Sequence, residues 1–179
     1  MRVISGKYKG KVLTGFDFLG TRPTMDRVKE SLFGIIQNKV KNSVVLDLFA
    51  GSGSLGIESL SNGSKACYFI DNNNQLIDVL KKNTANFDEE IVILKKDYID
   101  ALIYFKDNDI RFDIIFLDPP YKMNLIDKSI SLIQKYNLLK KDGILVCEFE
   151  REIFHSDYKL IKDKKYGSKY IRIYINDFN

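Results

Sequence analysis

The chain has 179 residues, 45% of them hydrophobic, which suits one domain able to bury its own core. No apolar run approaches the roughly 18 residues a membrane span needs, and the N-terminal residues lack an apolar stretch fit for a signal peptide, so a cytoplasmic protein is expected. Net charge is +4 but unevenly placed: residues 1–41 carry nine Lys/Arg against three Asp/Glu, residues 42–150 twelve against seventeen, and residues 151–179 seven against four. Basic ends around an acidic middle suit a solvated surface, or a polyanion held by the ends while the middle does chemistry. The cysteines, Cys67 and Cys147, sit in apolar runs and read as buried thiols. With His155 as the single histidine, neither a zinc site nor a histidine-based nucleophile is expected.

Residues 2–13 read as two short strands around a glycine-bounded turn, with Lys7, Lys9 and Lys11 on one face of an extended segment. A helix begins near Thr24, with Val28, Leu32, Ile35 and Ile36 at helical spacing. Strands at 43–49, 66–70, 91–94, 112–117 and 143–148 then alternate with helices at 54–61, 74–86, 98–105 and 126–136. Segments 158–163 and 170–175 read as a closing strand pair. This order predicts an α/β fold with a doubly wound, mainly parallel sheet, the closing pair supplying an antiparallel C-terminal strand. Residues 1–179 form one unit in this reading, with 1–23 as a basic hairpin extension.

The first strand runs into Asp47-Leu48-Phe49-Ala50-Gly51-Ser52-Gly53-Ser54-Leu55-Gly56. Gly51, Gly53 and Gly56 form a G-x-G-x-x-G between a strand and a helix, the context in which such a turn binds a ligand. Either a dinucleotide or S-adenosylmethionine can use it. Asp71, 20 residues past Gly51, can accept both ribose hydroxyls in either case. Asp47 separates them, because a carboxylate repels a pyrophosphate but helps hold a cationic amino-acid end. Asp97, after the third strand, can accept from an adenine amine. The expected cofactor contacts are thus Asp47, Ala50, Gly51, Ser52 and Gly53 at the turn, Asp71 and Asn72 after the second strand, and Asp97 and Tyr98 after the third.

The fourth strand ends in Phe112-Asp113-Ile114-Ile115-Phe116-Leu117-Asp118-Pro119-Pro120-Tyr121. Two of the chain's three prolines lie here, at the strand end where open α/β sheets bind ligands. An exocyclic amine is a poor nucleophile because its lone pair is delocalised into the base. Acceptors on its N–H groups, the Asp118 carboxylate and the Pro119 carbonyl, can localise that pair. Pro120 stiffens the loop, and Tyr121 can stack on the base.

These stretches resemble the amino-methyltransferases that act on bases. The fuller resemblance is to the RsmD family, carried by Arg2 through Lys11, Thr21 through Glu30, Leu46 through Gly56 and Phe112 through Tyr121, and more weakly by Lys165-Tyr166-Gly167. It implies a Rossmann-like class I methyltransferase fold with a small N-terminal β-hairpin plus helix. It also implies S-adenosyl-L-methionine as cofactor and the N2 amine of a guanine in 16S ribosomal RNA as target, within the small subunit or its assembly intermediate. It assigns the N-terminal segments to RNA recognition, with Arg22 and Arg27 as the best single residues and Arg2, Lys7, Lys9 and Lys11 on phosphates. A monomer without metal is expected. Three alternatives stay open: an adenine-N6 methyltransferase, a dinucleotide-dependent oxidoreductase, and a non-catalytic rRNA-binding assembly factor.

Overall fold

The computed structural model describes residues 1–15, 23–120, 125–150 and 154–178; Arg22 and Tyr121 lie outside them. Helix α1 (Pro23–Val40) opens with proline at its first position, where a missing N–H costs nothing. It buries Val28, Leu32, Phe33, Ile36 and Val40 along one face. Then β1 (Val44–Asp47), α2 (Ser54–Ser61), β2 (Ala66–Asp71), α3 (Asn74–Thr84), β3 (Glu90–Lys95), α4 (Tyr98–Asp107), β4 (Phe112–Leu117), α5 (Leu125–Lys135) and β5 (Leu139–Phe149) alternate. β6 (Lys159–Tyr166) and β7 (Lys169–Ile175) follow.

The strands form one seven-stranded sheet in the order β3-β2-β1-β4-β5-β7-β6. β1 to β5 pair in parallel, and β7 lies antiparallel between β5 and β6. The doubly wound sheet with an antiparallel C-terminal strand is therefore as expected. Both faces are covered, which is why β4 is apolar almost throughout. Leu46 and Leu48 pack toward α4 and α5, while Val45 and Ala50 pack toward α1 and α2. Cys67 and Cys147 are buried and not joined in a disulfide. The winding reverses between β1 and β4, and at that point the carboxyl ends of the two strands open a crevice.

Two expectations need correction. The fifth strand starts at Leu139, not Gly143. Phe112 pairs with Leu139 and Ile114 with Ile144, so β5 carries extra residues in a bulge, with Asp142 at φ 60°. The polar Lys140-Lys141-Asp142 of that bulge breaks the apolar run that marks a strand.

Residues 2–13 do form a hairpin-like loop, with Arg2 bridged to Val12 and Val3 N–H donating to the Lys11 carbonyl at 2.9 Å. The middle is not extended, however, so Lys7, Lys9 and Lys11 do not share a strand face. Gly6 and Gly10 take φ of 76° and 88° and curl it into a tight turn. Lys7 pairs with Asp88 and Glu89, Tyr8 packs on Phe87 and donates to Glu89, and the Lys11 ammonium lies over the Phe87 ring. The hairpin thus grips the α3–β3 loop. Arg2, Lys9 and Arg27 remain exposed.

The hairpin is fastened at its other side by a buried acid. Glu58 on α2 is fully buried and accepts from the backbone N–H groups of Ile4 (2.9 Å) and Ser5 (2.8 Å) and from the Ser5 hydroxyl. Its charge is met by Lys29 on α1 at 3.1 Å, which also donates to the Arg2 carbonyl at 2.8 Å.

Candidate active site

A cleft of about 1010 Å³ opens at the carboxyl ends of β1, β2, β4 and β5. One wall is the glycine turn. Gly51 has φ 55° and open space where a Cβ would go, so the backbone there faces the cleft uncovered. Gly56 does a different job. A Cβ on it would lie 2.2 Å from a Phe69 ring carbon and 2.7 Å from Cys67 Sγ, so only glycine lets α2 lie this close to β2. Ala50, Gly51 and Ser52 line the cleft, whereas Gly53 caps α2 in the left-handed conformation behind it.

Acids end the strands around this wall. Asp47 is 2% exposed and accepts from the Gly56 N–H at 3.0 Å. Burial pushes its carboxyl up to about 7, against the Gly56 N–H and with the Asp71 charge adding to the rise. Asp71 accepts from the Gly51 N–H at 2.9 Å and from the Asn73 N–H at 2.8 Å, so each oxygen keeps a lone pair for a ligand. Asn72 also lines the cleft. Asp97 caps α4 by accepting from the Ile99 N–H at 2.9 Å, and Tyr98 packs its ring on Phe49. With Leu76 and Leu125 these rings make an apolar slot between the acids.

On the strand next to β1, Asp118 follows β4 and is recessed in the cleft beside Pro119, which is buried, and Pro120, which is exposed. Burial, then the Glu148 and Asp47 charges, push the Asp118 carboxyl well above its ordinary range, against the pull of Lys169. The Gly turn, Asp47, Asp71, Asp97, Tyr98 and Asp118-Pro119-Pro120 thus all meet at one cleft. The hairpin residues Arg2, Lys7, Lys9 and Lys11, and Arg27 on α1, do not line it.

Sequence reasoning missed Lys29, Glu148 and Lys169, and gave no role to Tyr166. Glu148 is the penultimate residue of β5 and follows an apolar run, the same signal that marks Asp118. Lys169 pairs with Glu148 across the β5–β7 ladder. Tyr166 shares a 2.6 Å hydrogen bond with Ser31, which ties the tip of the β6–β7 hairpin to α1 along the cleft's rim.

A sheet of this order, with a glycine turn after β1, acids ending β1 and β2, and Asp-Pro-Pro after β4, defines the class I methyltransferase fold. The family model described as "Conserved hypothetical protein 95" matches residues 1–175. The YlbH protein of Bacillus subtilis is 38% identical over 180 residues, covering 97% of this chain and 98% of that protein. Ribosomal RNA small subunit methyltransferase D of Haemophilus influenzae is 36% identical over 182 residues, covering 98% and 94%. The solved structure of yhhF from Escherichia coli superposes with a TM-score of 0.86 at 27% identity, covering 100% of this chain and 99% of that one. The chain belongs to the RsmD family.

Proposed function

We propose that this protein transfers a methyl group from S-adenosyl-L-methionine to the exocyclic N2 amine of a guanine in 16S ribosomal RNA. The observation that carries the reading is the placement of Asp118-Pro119 in the same cleft as the glycine turn, so an acceptor for an amine and a cofactor wall share one cavity. Relatives named ribosomal RNA small subunit methyltransferase D support the substrate class.

The residues fit the cofactor. Among the described residues, the cleft carries six acids, Asp47, Asp71, Asp97, Asp118, Glu148 and Glu150, against three lysines. Such a wall repels a pyrophosphate and attracts a sulfonium and an ammonium. Asp71 takes the ribose hydroxyls, Asp97 the adenine amine, Tyr98 and Leu76 the adenine faces, and Asp47 the ammonium end. When bound, S-adenosyl-L-methionine supplies an electrophilic methyl group and leaves as the neutral thioether. Asp118 and the Pro119 carbonyl accept from the two amine N–H groups and turn the nitrogen lone pair toward that methyl. The amine takes the methyl and sheds one proton to Asp118 or to water. Positioning of this kind can remove on the order of 7–11 kcal/mol of barrier.

Asp47 gives a pH signature. In the free protein its carboxyl titrates near 7, while a cationic ligand beside it favours the carboxylate. Cofactor affinity therefore rises with pH between about 5 and 7, by up to ~10-fold per unit, and levels off above, with uptake of ligand releasing a proton. Titration calorimetry in buffers of different ionisation enthalpy checks this. Asp47→Asn flattens the dependence, and a flat wild-type profile removes Asp47 from the ammonium site. The sign for stability is opposite. The folded pKa lies above the ordinary 3.8, so the stabilisation is full below about pH 4 and is lost as pH rises through about 7. The unliganded Asp47→Asn variant is accordingly the more stable of the two at pH 8.

The protein acts as a cytoplasmic monomer on the small subunit or its assembly intermediate, with the exposed Arg2, Lys9 and Arg27 on phosphates. RNA affinity then falls steeply with salt, each phosphate contact adding about −0.7 to −0.9 to the log–log slope. A salt-independent affinity would remove the phosphate contacts. The deciding experiment is transfer of labelled methyl from S-adenosyl-L-methionine to small subunits lacking the modification, with nucleoside analysis. N2-methylguanosine at one site supports the reading; N6-methyladenosine moves the substrate to adenine; no transfer despite cofactor binding favours an assembly factor.

A further inference from the structure

The cleft contains a second acid at the acceptor end that the transfer step does not use. β4 and β5 pair in parallel with Leu117 opposite Cys147. The next residue on each strand is an acid, Asp118 and Glu148, so the two carboxylates leave neighbouring strand ends side by side, with backbones about 4.8 Å apart. Both line the cleft. Glu148 is 13% exposed and is paired with Lys169, itself 23% exposed, at the start of β7. A recessed ion pair contributes little net stability compared with apolar residues of the same size, so its place at the cleft wall calls for another role. Glu150, two residues further out, accepts from the Ser168 hydroxyl at 3.3 Å and belongs to the rim.

The chemistry of the bases gives that role. Guanine presents two adjacent donors on its Watson–Crick edge, the N1–H and the N2 amine. Adenine presents a donor, the N6 amine, beside an acceptor, N1. A cleft end built from two neighbouring carboxylates matches the first pattern and repels the second. An acid-Pro-Pro turn alone offers acceptors for one amine and does not distinguish them.

Resting on the guanine-N2 reading above, we propose that Glu148 is the base-reading residue: its carboxylate accepts the N1–H of the target guanine while Asp118 holds the N2 amine. Lys169 is a positioning residue whose ion pair holds Glu148 at the cleft wall. A carboxylate oxygen carries two lone pairs, so a carboxylate can accept from both an ammonium and a base N–H.

The test uses reconstituted small subunits carrying either guanine or 2-aminopurine at the methylated position. The analogue keeps the N2 amine but has an acceptor at N1 and nothing at position 6. Wild type should prefer guanine by roughly 10²-fold or more in kcat/KM, as sites built around a buried hydrogen bond do. Glu148→Gln, whose amide can donate to an N1 acceptor, should lower the rate on guanine and leave or raise that on 2-aminopurine, so the ratio falls at least ~10-fold. Any change in cofactor affinity from the lost charge acts on both bases alike and leaves their ratio unaltered. Wild type methylating both bases equally would overturn the proposal without any variant having to fold, as would a Glu148→Gln variant that loses both rates in parallel. Absence of N2-methylguanosine from the wild-type reaction would instead overturn the reading on which the proposal rests, and the proposal with it.

Discussion

Replacing Asp118 by alanine should lower kcat by roughly 10²- to 10⁴-fold, the range a positioned proton acceptor contributes, while RNA affinity stays within about twofold. Asp118 is recessed in the cleft, away from the exposed Arg2, Lys9 and Arg27 that are assigned to phosphate. The variant should also be no less stable than wild type. Burial and the Glu148 and Asp47 charges hold the Asp118 carboxyl well above its ordinary range, so at pH above that ordinary range the buried acid opposes folding. Removing it relieves that repulsion, a common trade between activity and stability at active sites. Single-turnover transfer, filter binding and a melting curve at pH 8 together read all three quantities. A variant that loses RNA binding in step with turnover would show that Asp118 acts in recognition or in folding, not on the amine.

The second large effect is expected far from the chemistry. Glu58→Ala leaves the Lys29 ammonium buried at 5% exposure without its counter-charge. It also orphans the N–H groups of Ile4 and Ser5. Breaking a buried pair from one side typically costs about 3–5 kcal/mol, which for a chain of this size lowers Tm by roughly 6–20 °C. The loss should be concentrated at the hairpin, with faster amide exchange over residues 3–13 than over β1 and β4. Lys29 and Met1 also line the cleft, so cofactor affinity should weaken along with hairpin docking. A Tm within about 2 °C of wild type and unchanged exchange at Ile4 and Ser5 would mean that the hairpin is held by Val3 and Leu13 in the core and not by Glu58.

Much of the glycine-turn half of the cleft is legible in the sequence because it is local. The turn after β1 needs positive φ at Gly51 and Gly53 and no side chain at Gly56, and each demand falls on a fixed spacing within ten residues. Asp71 and Asp97 follow apolar runs whose length and flanking turns mark them as strands. The alternation of periods fixes the doubly wound order, and the rule that ligands bind outside the carboxyl ends of such strands puts the acids in one place. The strand bounds move by a few residues, most at β5, where a polar bulge interrupts the run.

The Glu148–Lys169 pair and the hairpin were less legible, for a common physical reason. Glu148 has the same local signature as Asp118, but its meaning comes from lying one strand over in register, with Lys169 of an antiparallel strand folded back between β5 and β6. The lysines of the hairpin look like a phosphate-binding face until the turn brings Lys7 to Asp88 and Glu89, more than eighty residues away in the chain. Lys29 and Glu58 are ordinary charged residues of two amphipathic helices until α1 and α2 close over Arg2, Ile4 and Ser5. By itself, then, the sequence determined the sheet, the glycine turn and the acids at the strand ends, because short-range sterics and hydrophobic period encode them. Only the tertiary structure decided which charges neutralise one another and which are left facing the cleft, because Coulomb pairing depends on distances that arise when remote segments pack.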